Sequence, residues 1–235
     1  DLHSFPTRRS SDLWSLFDMD GTLLDTLEDL GSAMNRVLTA RGLPVHPIDS
    51  YRFFAGNGAA HLVSCALPED RRDRDFLDVC VQDFVREYQA AGTGKGKPYA
   101  GIPELLDLLE SRGILLAVLT NKPQVLAEQC MRDFLPKWSF ALVQGQVPGR
   151  PVKPDPASPR LLMERLGLGA EEILYLGDTD VDMRTATSVG MHPVGVLWGF
   201  RPEEELRRAG ARTIISHPLE LRKLLDSSKD RKSVV

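Results

Sequence analysis

Residues 14–24 read Trp14-Ser15-Leu16-Phe17-Asp18-Met19-Asp20-Gly21-Thr22-Leu23-Leu24. The apolar first part predicts a buried strand, and Gly21 predicts the turn that ends it. Asp18 and Asp20 are two residues apart, so their carboxylates point to the same side of an extended chain. Two adjacent carboxylates repel each other unless a cation lies between them or one holds a proton. The pair therefore suits Mg²⁺, which prefers oxygen ligands.

Two other interpretations of Asp-x-Asp-Gly compete with a metal site: a polar turn, or part of a calcium loop. An EF-hand loop needs acidic or Asn residues at alternate positions and a Glu several residues later. Here Thr22-Leu23-Leu24 follows, which excludes that loop. The polar turn stays open until the rest of the chain is considered.

The composition limits the classes of function. A formal charge of −4 over 235 residues leaves no broad basic field for nucleic acid. No apolar run approaches the roughly 20 residues of a membrane-spanning helix. Cys65, Cys80 and Cys130 form no C-x-x-C pair, so we expect reduced thiols and a cytoplasmic protein. An anionic substrate would need local positive charge or a metal.

Both ends of the chain are expected to be non-native. Residues 1–13 contain Arg-Ser-Ser-Asp-Leu, and residues 229–235 contain Asp-Arg-Lys-Ser. The two peptides can be encoded by one string of sequencing-library adapter read in opposite orientations. A pair of ordinary disordered tails is the alternative. Both segments are left out of the fold prediction.

A helical segment separates the first strand from the rest of the chain. Apolar residues at helical spacing run from Leu27 to Leu38, over residues 59–67 and from Phe76 to Tyr88. Such a length is far beyond that of a plain loop. Residues 25–97 are therefore predicted to form an inserted helical domain.

From residue 98 the pattern alternates between helices and apolar strands. Strands are predicted at 114–119, 140–143, 173–176, 194–197 and 213–215, and helices at 103–111, 124–134 and 159–166. Continuous apolar runs are typical of parallel strands covered on both faces. Residues 14–24 and 98–228 are therefore predicted to form an α/β core around a doubly wound parallel sheet.

Several side chains of catalytic type stand at the ends of these strands or just before a helix. They are Asp18, Asp20, Thr120, Lys153, Asp178 and Asp182. Each alone has an ordinary interpretation, because threonines and aspartates cap helices and a lysine is usually a solvated charge. In an open α/β sheet, however, ligands bind where the carboxyl ends of strands meet. Together the set supplies a nucleophile, a metal site, a hydroxyl donor and a fixed cation, which phosphoryl transfer requires.

The order of these motifs resembles the aspartate-nucleophile phosphatases of the haloacid dehalogenase superfamily, from Trp14 to about Glu220. The resemblance implies a Rossmann-like core with a helical cap inserted after the first motif. It implies that Asp18 attacks phosphorus and forms an aspartyl-phosphate, with no separate base. It also implies that Asp20 protonates the leaving oxygen and then activates water. Dehalogenases of this superfamily lack the second aspartate, so Asp20 argues against that activity.

The resemblance further implies which residues hold phosphate and metal. The implied phosphate-binding residues are Thr120, Asn121 and Lys153. The implied Mg²⁺ ligands are Asp18, the main-chain carbonyl of Asp20 and Asp178, with Asp182 supporting them from the second layer.

Finer matches at residues 56–59, 119–123 and 196–201 resemble the phosphoglycolate phosphatases, which hydrolyse 2-phosphoglycolate to glycolate and phosphate. Asn57 is the expected cap contact with the substrate, and a simple turn that starts a helix is the equal alternative. Sugar-phosphate or pyrophosphate hydrolysis, or a phosphoglucomutase-like transfer, uses the same machinery, and an inactive binding protein would share the fold. The expected partner is a small phosphorylated metabolite, with no nucleic acid and no membrane. The sequence leaves open whether the protein is a monomer or a homodimer.

Overall fold

A six-stranded parallel sheet forms the centre of the computed structural model, which describes residues 13–91 and 94–230. The strands, in chain order, are β1 (Trp14–Phe17), β2 (Leu24–Asp25), β3 (Lys97–Pro98), β4 (Leu115–Pro123), β5 (Phe140–Gln146), β6 (Ile173–Gly177), β7 (His192–Val196) and β8 (Thr213–Ile215). The order in the main sheet is β5-β4-β1-β6-β7-β8, and every neighbouring pair is parallel. The predicted α/β fold class is confirmed.

Ten α-helices accompany the strands in the described residues. They are α1 (Leu27–Ala40), α2 (Tyr51–Phe54), α3 (Ala59–Ala66), α4 (Arg74–Ala90), α5 (Ile102–Ser111), α6 (Gln124–Phe134), α7 (Ala157–Leu166), α8 (Asp180–Val189), α9 (Glu203–Arg208) and α10 (Leu221–Asp230). Gly167 and Gly190 end α7 and α8 in left-handed conformations, with φ of +65° and +85°, which glycine adopts without a steric penalty. No helix of the described chain is long and apolar enough to span a membrane.

Helices cover both faces of the sheet, and β1 shows why its sequence is apolar throughout. All four residues of β1 are buried, because side chains alternate between the two faces. Trp14 and Leu16 pack in the core that includes residues of α7 and α8. Phe17 packs in the other core, which includes residues of α5 and α10. This burial on both sides is typical of a doubly wound sheet.

The first four helices lie between β2 and β3 in the chain. These two short strands pair antiparallel, with Leu24 opposite Pro98 and Asp25 opposite Lys97, so the two connections to the helical segment run side by side. Helices α1 and α3 both pack on α4, and the apolar side chains of all three join the core that also contains Phe17. The division into a core and a cap at residues 25–97 stays a prediction.

Some element boundaries differ from those expected. The predicted strand at 114–119 extends as β4 to Pro123, because after a register shift Pro123 again pairs with Gln146 of β5. Helices α9 and α10 were not predicted. The expected non-native tails, residues 1–13 and 229–235, lie almost wholly outside the described residues. The three cysteines are free.

Candidate active site

The carboxyl ends of three adjacent strands bring the predicted motifs together. Strand β1 lies between β4 and β6. Asp18 directly follows β1, Thr120 lies near the end of β4, and Asp178 directly follows β6. Residues from distant parts of the chain therefore meet at one edge of the sheet, where open α/β folds bind ligands.

A cleft opens at this edge, between the sheet and the helices α1, α3 and α4. It has about 450 Å³ of space, part of it continuous with solvent. Its polar end is formed by Asp18, Asp20, Thr120, Asn121 and Lys122. The remaining wall is largely apolar and consists of Leu30, Ala55, Gly56, Gly58, Ala59, Leu62, Phe84, Pro123 and Leu126. The cleft thus has one polar end and one largely apolar end.

Lys153 is a buried cation in contact with the polar end of the cleft. Its side chain is 1% exposed, and its Nζ lies 3.0 Å from Asp18 Oδ1 and 2.7 Å from Asp182 Oδ1. It also donates a hydrogen bond of 2.8 Å to the Tyr175 hydroxyl. Burial works to lower the pKa of Lys153, but the charges of the two carboxylates outweigh burial and raise that pKa above its ordinary value. The side chain is therefore an ammonium.

Asp178 is fully buried and held from two sides. Its Oδ1 accepts a hydrogen bond from the Thr22 hydroxyl, and its Oδ2 accepts one from the main-chain N–H of Phe200, each at 2.9 Å. Gly21 packs against this carboxylate with a φ of +84°, and a Cβ at position 21 would overlap it. Only glycine satisfies both the backbone conformation and this close approach.

Asp182 supports the site from the start of α8. Its Oδ2 accepts hydrogen bonds from the Thr179 main-chain N–H at 3.0 Å and from the Thr179 hydroxyl at 2.7 Å, in a capping box. Its Oδ1 accepts from Lys153 and, at 3.1 Å, from Tyr175. Both oxygens are occupied by protein donors, as a supporting role requires. The helix-cap interpretation also applies to this residue.

The buried carboxylates fit a divalent cation. Oxygen atoms of Asp18, Asp178 and Asp182 all lie within 4.8 Å of one another. Burial, helped by the charge of Asp182 and opposed by Lys153, raises the pKa of Asp18 to about 7. Burial and the charges of the other two carboxylates raise the pKa of Asp178 well above its usual range. A hard dication such as Mg²⁺ would offset the mutual repulsion of these closely packed carboxylates, which Lys153 alone does not remove.

Asp20 lies at the polar end of the cleft, with 16% of its side chain exposed. Its Oδ1 accepts hydrogen bonds from the Thr26 hydroxyl at 2.5 Å and from Lys122 Nζ at 3.0 Å, and its Oδ2 lies 3.3 Å from the same Nζ. Its carboxylate does not belong to the cluster of three carboxylates within metal-binding distance. The predicted metal contact of Asp20 would therefore fall to its main-chain carbonyl.

Thr120 and Asn121 have different surroundings. The Thr120 hydroxyl oxygen accepts a hydrogen bond of 3.2 Å from the main-chain N–H of Lys122, which leaves the hydroxyl proton for a ligand. The amide of Asn121 donates to the carbonyls of Gly56 and Lys153, at 3.1 and 2.9 Å, and accepts from the Lys153 N–H at 2.8 Å. Both amide protons of Asn121 are thus used, and the side chain joins the loop at Gly56 to the segment that carries Lys153. In this structure the Asn121 side chain therefore has no free N–H with which to make the predicted phosphate contact.

Asn57 does not belong to the described lining of the cleft, whereas its neighbours Gly56 and Gly58 do. The loop at residues 56–58 therefore reaches the site through its glycines, which leave room for the ligand. The Gly-Asn-Gly stretch directly precedes α3, as the turn interpretation expects.

Residues 15–196 match the family model described as haloacid dehalogenase-like hydrolase. The chain belongs to this family. The predicted superfamily is thus confirmed.

Several relatives of this haloacid dehalogenase-like protein are named phosphatases. The chain is 35% identical over 215 residues to the N-acetylmuramic acid 6-phosphate phosphatase of Pseudomonas aeruginosa, covering 90% of this chain and 93% of the relative. It is 30% identical over 187 residues to the phosphoglycolate phosphatase of Xanthomonas campestris, covering 79% and 83%. A solved structure from Clostridium acetobutylicum, described as a predicted phosphatase, has a TM-score of 0.83 at 28% identity over 92% of this chain and 100% of that one. The predicted enzyme class, a phosphatase of this family, is confirmed.

Sequence reasoning assigned no role to several side chains of this site. Lys122 lies two residues after Thr120, within the quoted stretch 119–123. Side chains two residues apart in an extended chain point to the same side, so this spacing could have indicated that Lys122 also faces the site. Burial works to lower the pKa of Lys122, but the charge of Asp20 helps to raise it well above its ordinary value. Tyr175 places a hydroxyl in a largely apolar strand, and a buried tyrosine hydroxyl usually has a hydrogen-bond partner.

Arg201 connects the loop after β7 to the helical segment. Its guanidinium donates hydrogen bonds to the main-chain carbonyls of Arg52, Phe53 and Ala55 at the end of α2. It also pairs with Glu205 at 3.1 Å. The same loop supplies the N–H of Phe200 to Asp178, so residues 200 and 201 join the buried carboxylates to α2. No local pattern in the sequence indicates this contact.

Proposed function

We propose that this phosphatase hydrolyses phosphomonoesters with the help of Mg²⁺, through an aspartyl-phosphate on Asp18. The carrying observation is the 3.0 Å contact between Asp18 Oδ1 and the buried ammonium of Lys153. This contact orients the nucleophile and puts a fixed positive charge where phosphoryl oxygens would lie. Asp18, Asp178 and the Asp20 carbonyl would hold Mg²⁺, which when bound supplies positive charge to the phosphoryl group. Thr120 would donate its hydroxyl proton to a phosphoryl oxygen.

Two displacements complete the proposed reaction. In the first, Asp18 forms a bond to phosphorus, the bond to the leaving oxygen breaks, and Asp20 gives its proton to that oxygen. In the second, Asp20 takes a proton from water, the water oxygen bonds to phosphorus, and the bond to Asp18 breaks. Phosphate leaves, and both aspartates return to their initial states.

The first candidate substrate is 2-phosphoglycolate. It is supported by the quoted motif matches and by relatives such as the Xanthomonas campestris phosphoglycolate phosphatase. The carboxylate of a bound phosphoglycolate would need a cation in the cleft. Of the described residues that line the cleft, only Lys122 is a cation, and Asp20 already occupies it.

The second candidate substrate is N-acetylmuramic acid 6-phosphate, and two observations favour it. The Pseudomonas aeruginosa relative named for this reaction aligns over a larger share of the chain. The wall of the cleft is largely apolar, which suits a phosphorylated sugar carrying methyl groups better than a two-carbon acid. A larger substrate can also leave its carboxylate in solvent at the open side.

Measurements of phosphate release test both the proposed mechanism and the proposed substrates. The panel contains 2-phosphoglycolate, N-acetylmuramic acid 6-phosphate, glucose 6-phosphate and pyrophosphate, each with Mg²⁺ and with EDTA. We expect Mg²⁺-dependent release that Asp18→Asn abolishes, with a preference for one of the first two compounds. A preference for another compound would keep the chemistry and overturn the substrate. Equal rates in EDTA, or an active Asp18→Asn enzyme, would contradict the mechanism, and no release from any compound would favour a binding protein.

A further inference from the structure

A second lysine of the site has no part in the reaction described above. The side chain of Lys122 is 1% exposed, although it lines the cleft. Its Nζ lies 3.0 and 3.3 Å from the two carboxylate oxygens of Asp20 and donates a hydrogen bond of 3.1 Å to the Tyr88 hydroxyl. An ammonium has three N–H donors. Asp20 and Tyr88 account for all three, so none remains for a substrate.

We propose that Lys122 is a positioning residue that orients the Asp20 carboxylate for proton transfer, and that Tyr88 holds Lys122 from the side of the helical segment. The proposal rests on the proposed function, because it takes Asp20 as the acid and base. Neither Lys122 nor Tyr88 needs to touch the reacting atoms for this role.

The contacts around Asp20 distinguish its two oxygens. Oδ1 accepts hydrogen bonds from both Thr26 and Lys122, at 2.5 and 3.0 Å. Oδ2 has one longer contact, 3.3 Å to Lys122. Oδ2 is therefore the oxygen that gives its proton to the leaving group and later takes one from water. With Oδ1 held by two donors, the carboxylate cannot turn freely about its χ2 torsion, which keeps Oδ2 in one place.

Tyr88, a residue of α4, contacts the lysine that holds Asp20. Its ring lies 4.1 Å from Lys122 Nζ, a distance suited to a cation–π contact. Its hydroxyl also lies 3.6 Å from Cys130 Sγ of α6, and the residue is 4% exposed. Tyr88 thus joins α4 to Lys122 and to Cys130 of α6. The proposed orientation of the Asp20 carboxylate therefore depends on the packing of α4 against α6 and on the contact between Tyr88 and Lys122.

A double-mutant cycle on the whole protein tests the proposal. The variants are Asp20→Asn, Lys122→Met and their combination, assayed with Mg²⁺ and whichever of 2-phosphoglycolate and N-acetylmuramic acid 6-phosphate the unaltered protein hydrolyses faster. Both are alkyl phosphates, so the leaving oxygen needs the proton that Asp20 supplies. General acid–base groups contribute about 10²–10⁴-fold to a rate, so we expect each single variant to lose about tenfold or more in kcat. If Lys122 acts through Asp20, the combined variant should fall no more than about threefold below Asp20→Asn. The KM of Lys122→Met should stay within about twofold of the unaltered protein, because uniform substrate binding is retained.

A second cycle with Tyr88→Phe keeps the ring and removes the hydroxyl, and it replaces Lys122→Met if that variant does not fold. We expect a smaller loss in kcat that is likewise absent in the Asp20→Asn background. Lys137→Met is the matched control. Lys137 also pairs with an aspartate, Asp107, at 2.7 Å and lies 5.1 Å from an aromatic ring, that of Trp138, but it does not belong to the described lining of the cleft. Its kcat should be unchanged.

The outcomes separate this proposal from the proposed function. Losses that multiply in the combined variant, or a raised KM with an unchanged kcat, would show that Lys122 acts on the substrate or on the fold and would overturn the positioning role alone. Absence of Mg²⁺-dependent release from the unaltered protein would overturn the proposed function and the positioning role with it.

Discussion

Asp18→Asn is expected to stabilise the metal-free protein at neutral and alkaline pH. Burial raises the pKa of Asp18 from 3.8 to about 7. One pKa unit corresponds to about 1.4 kcal/mol, so full ionisation of Asp18 costs the folded state about 4 kcal/mol relative to the unfolded chain. Between these two pKa values the folded protein binds more protons than the unfolded chain. The free energy of unfolding therefore falls as the pH rises through this range and levels off above it.

Urea unfolding in EDTA at about pH 5 and about pH 8 measures this effect. Asparagine at position 18 stays neutral, so the variant lacks the contribution, and its advantage over the unaltered protein should grow by about 2–3 kcal/mol between the two pH values. Lys153 keeps Asp182 and Tyr175 as partners in the variant. Excess Mg²⁺ should reduce or reverse the stability advantage of Asp18→Asn, because Mg²⁺ binds the folded protein more tightly through the Asp18 carboxylate than through an amide.

A constant difference between Asp18→Asn and the unaltered protein at both pH values would refute this reasoning, because it would mean that Asp18 ionises as freely in the folded state as in the unfolded chain. Asp107→Asn is the matched control. Asp107 is exposed, and its hydrogen bonds with Lys137 and Trp138 lower its pKa. Its replacement should therefore show no gain in stability as the pH rises.

Three further variants test the buried ion pairs, the close packing at Gly21 and the contacts of Arg201 with α2. Lys153→Met leaves buried carboxylates without their cation and should lower the free energy of unfolding in EDTA by about 3–5 kcal/mol, as measured by urea denaturation at pH 7; a loss within error would contradict the buried ion pairs. Gly21→Ala should cost more stability than Gly42→Ala, because both glycines have positive φ but only a Cβ at position 21 meets other atoms; equal losses in the same assay would remove the steric argument. Arg201→Met should speed amide hydrogen exchange at residues 51–55, since about 1–3 kcal/mol of charge-assisted hydrogen bonding is lost, whereas the surface variant Arg207→Met should leave that exchange unchanged.

Local sequence patterns determined the elements that build the sheet. Helix α6 and strand β8 have the predicted boundaries, because apolar periodicity and flanking breakers are properties of a few neighbouring residues. The positions of Asp18 and Asp178 at the ends of β1 and β6 followed from the same local reasoning. Once parallel strands are adjacent, their carboxyl ends share one edge, so the outline of the site was also predictable.

Only the tertiary structure decided which groups of the protein the side chains of the site contact. The side chain of Asn121 was expected to bind phosphate, yet it is used by the main chain of Gly56 and Lys153. Lys122 received no role from the sequence, yet it holds Asp20, and the partner that completes its contacts, Tyr88, lies on a helix between them in the chain. Composition and periodicity report whether a residue is buried. Which donor meets which acceptor depends on angles and distances between segments far apart in sequence, and these exist only after the helices have packed on the sheet.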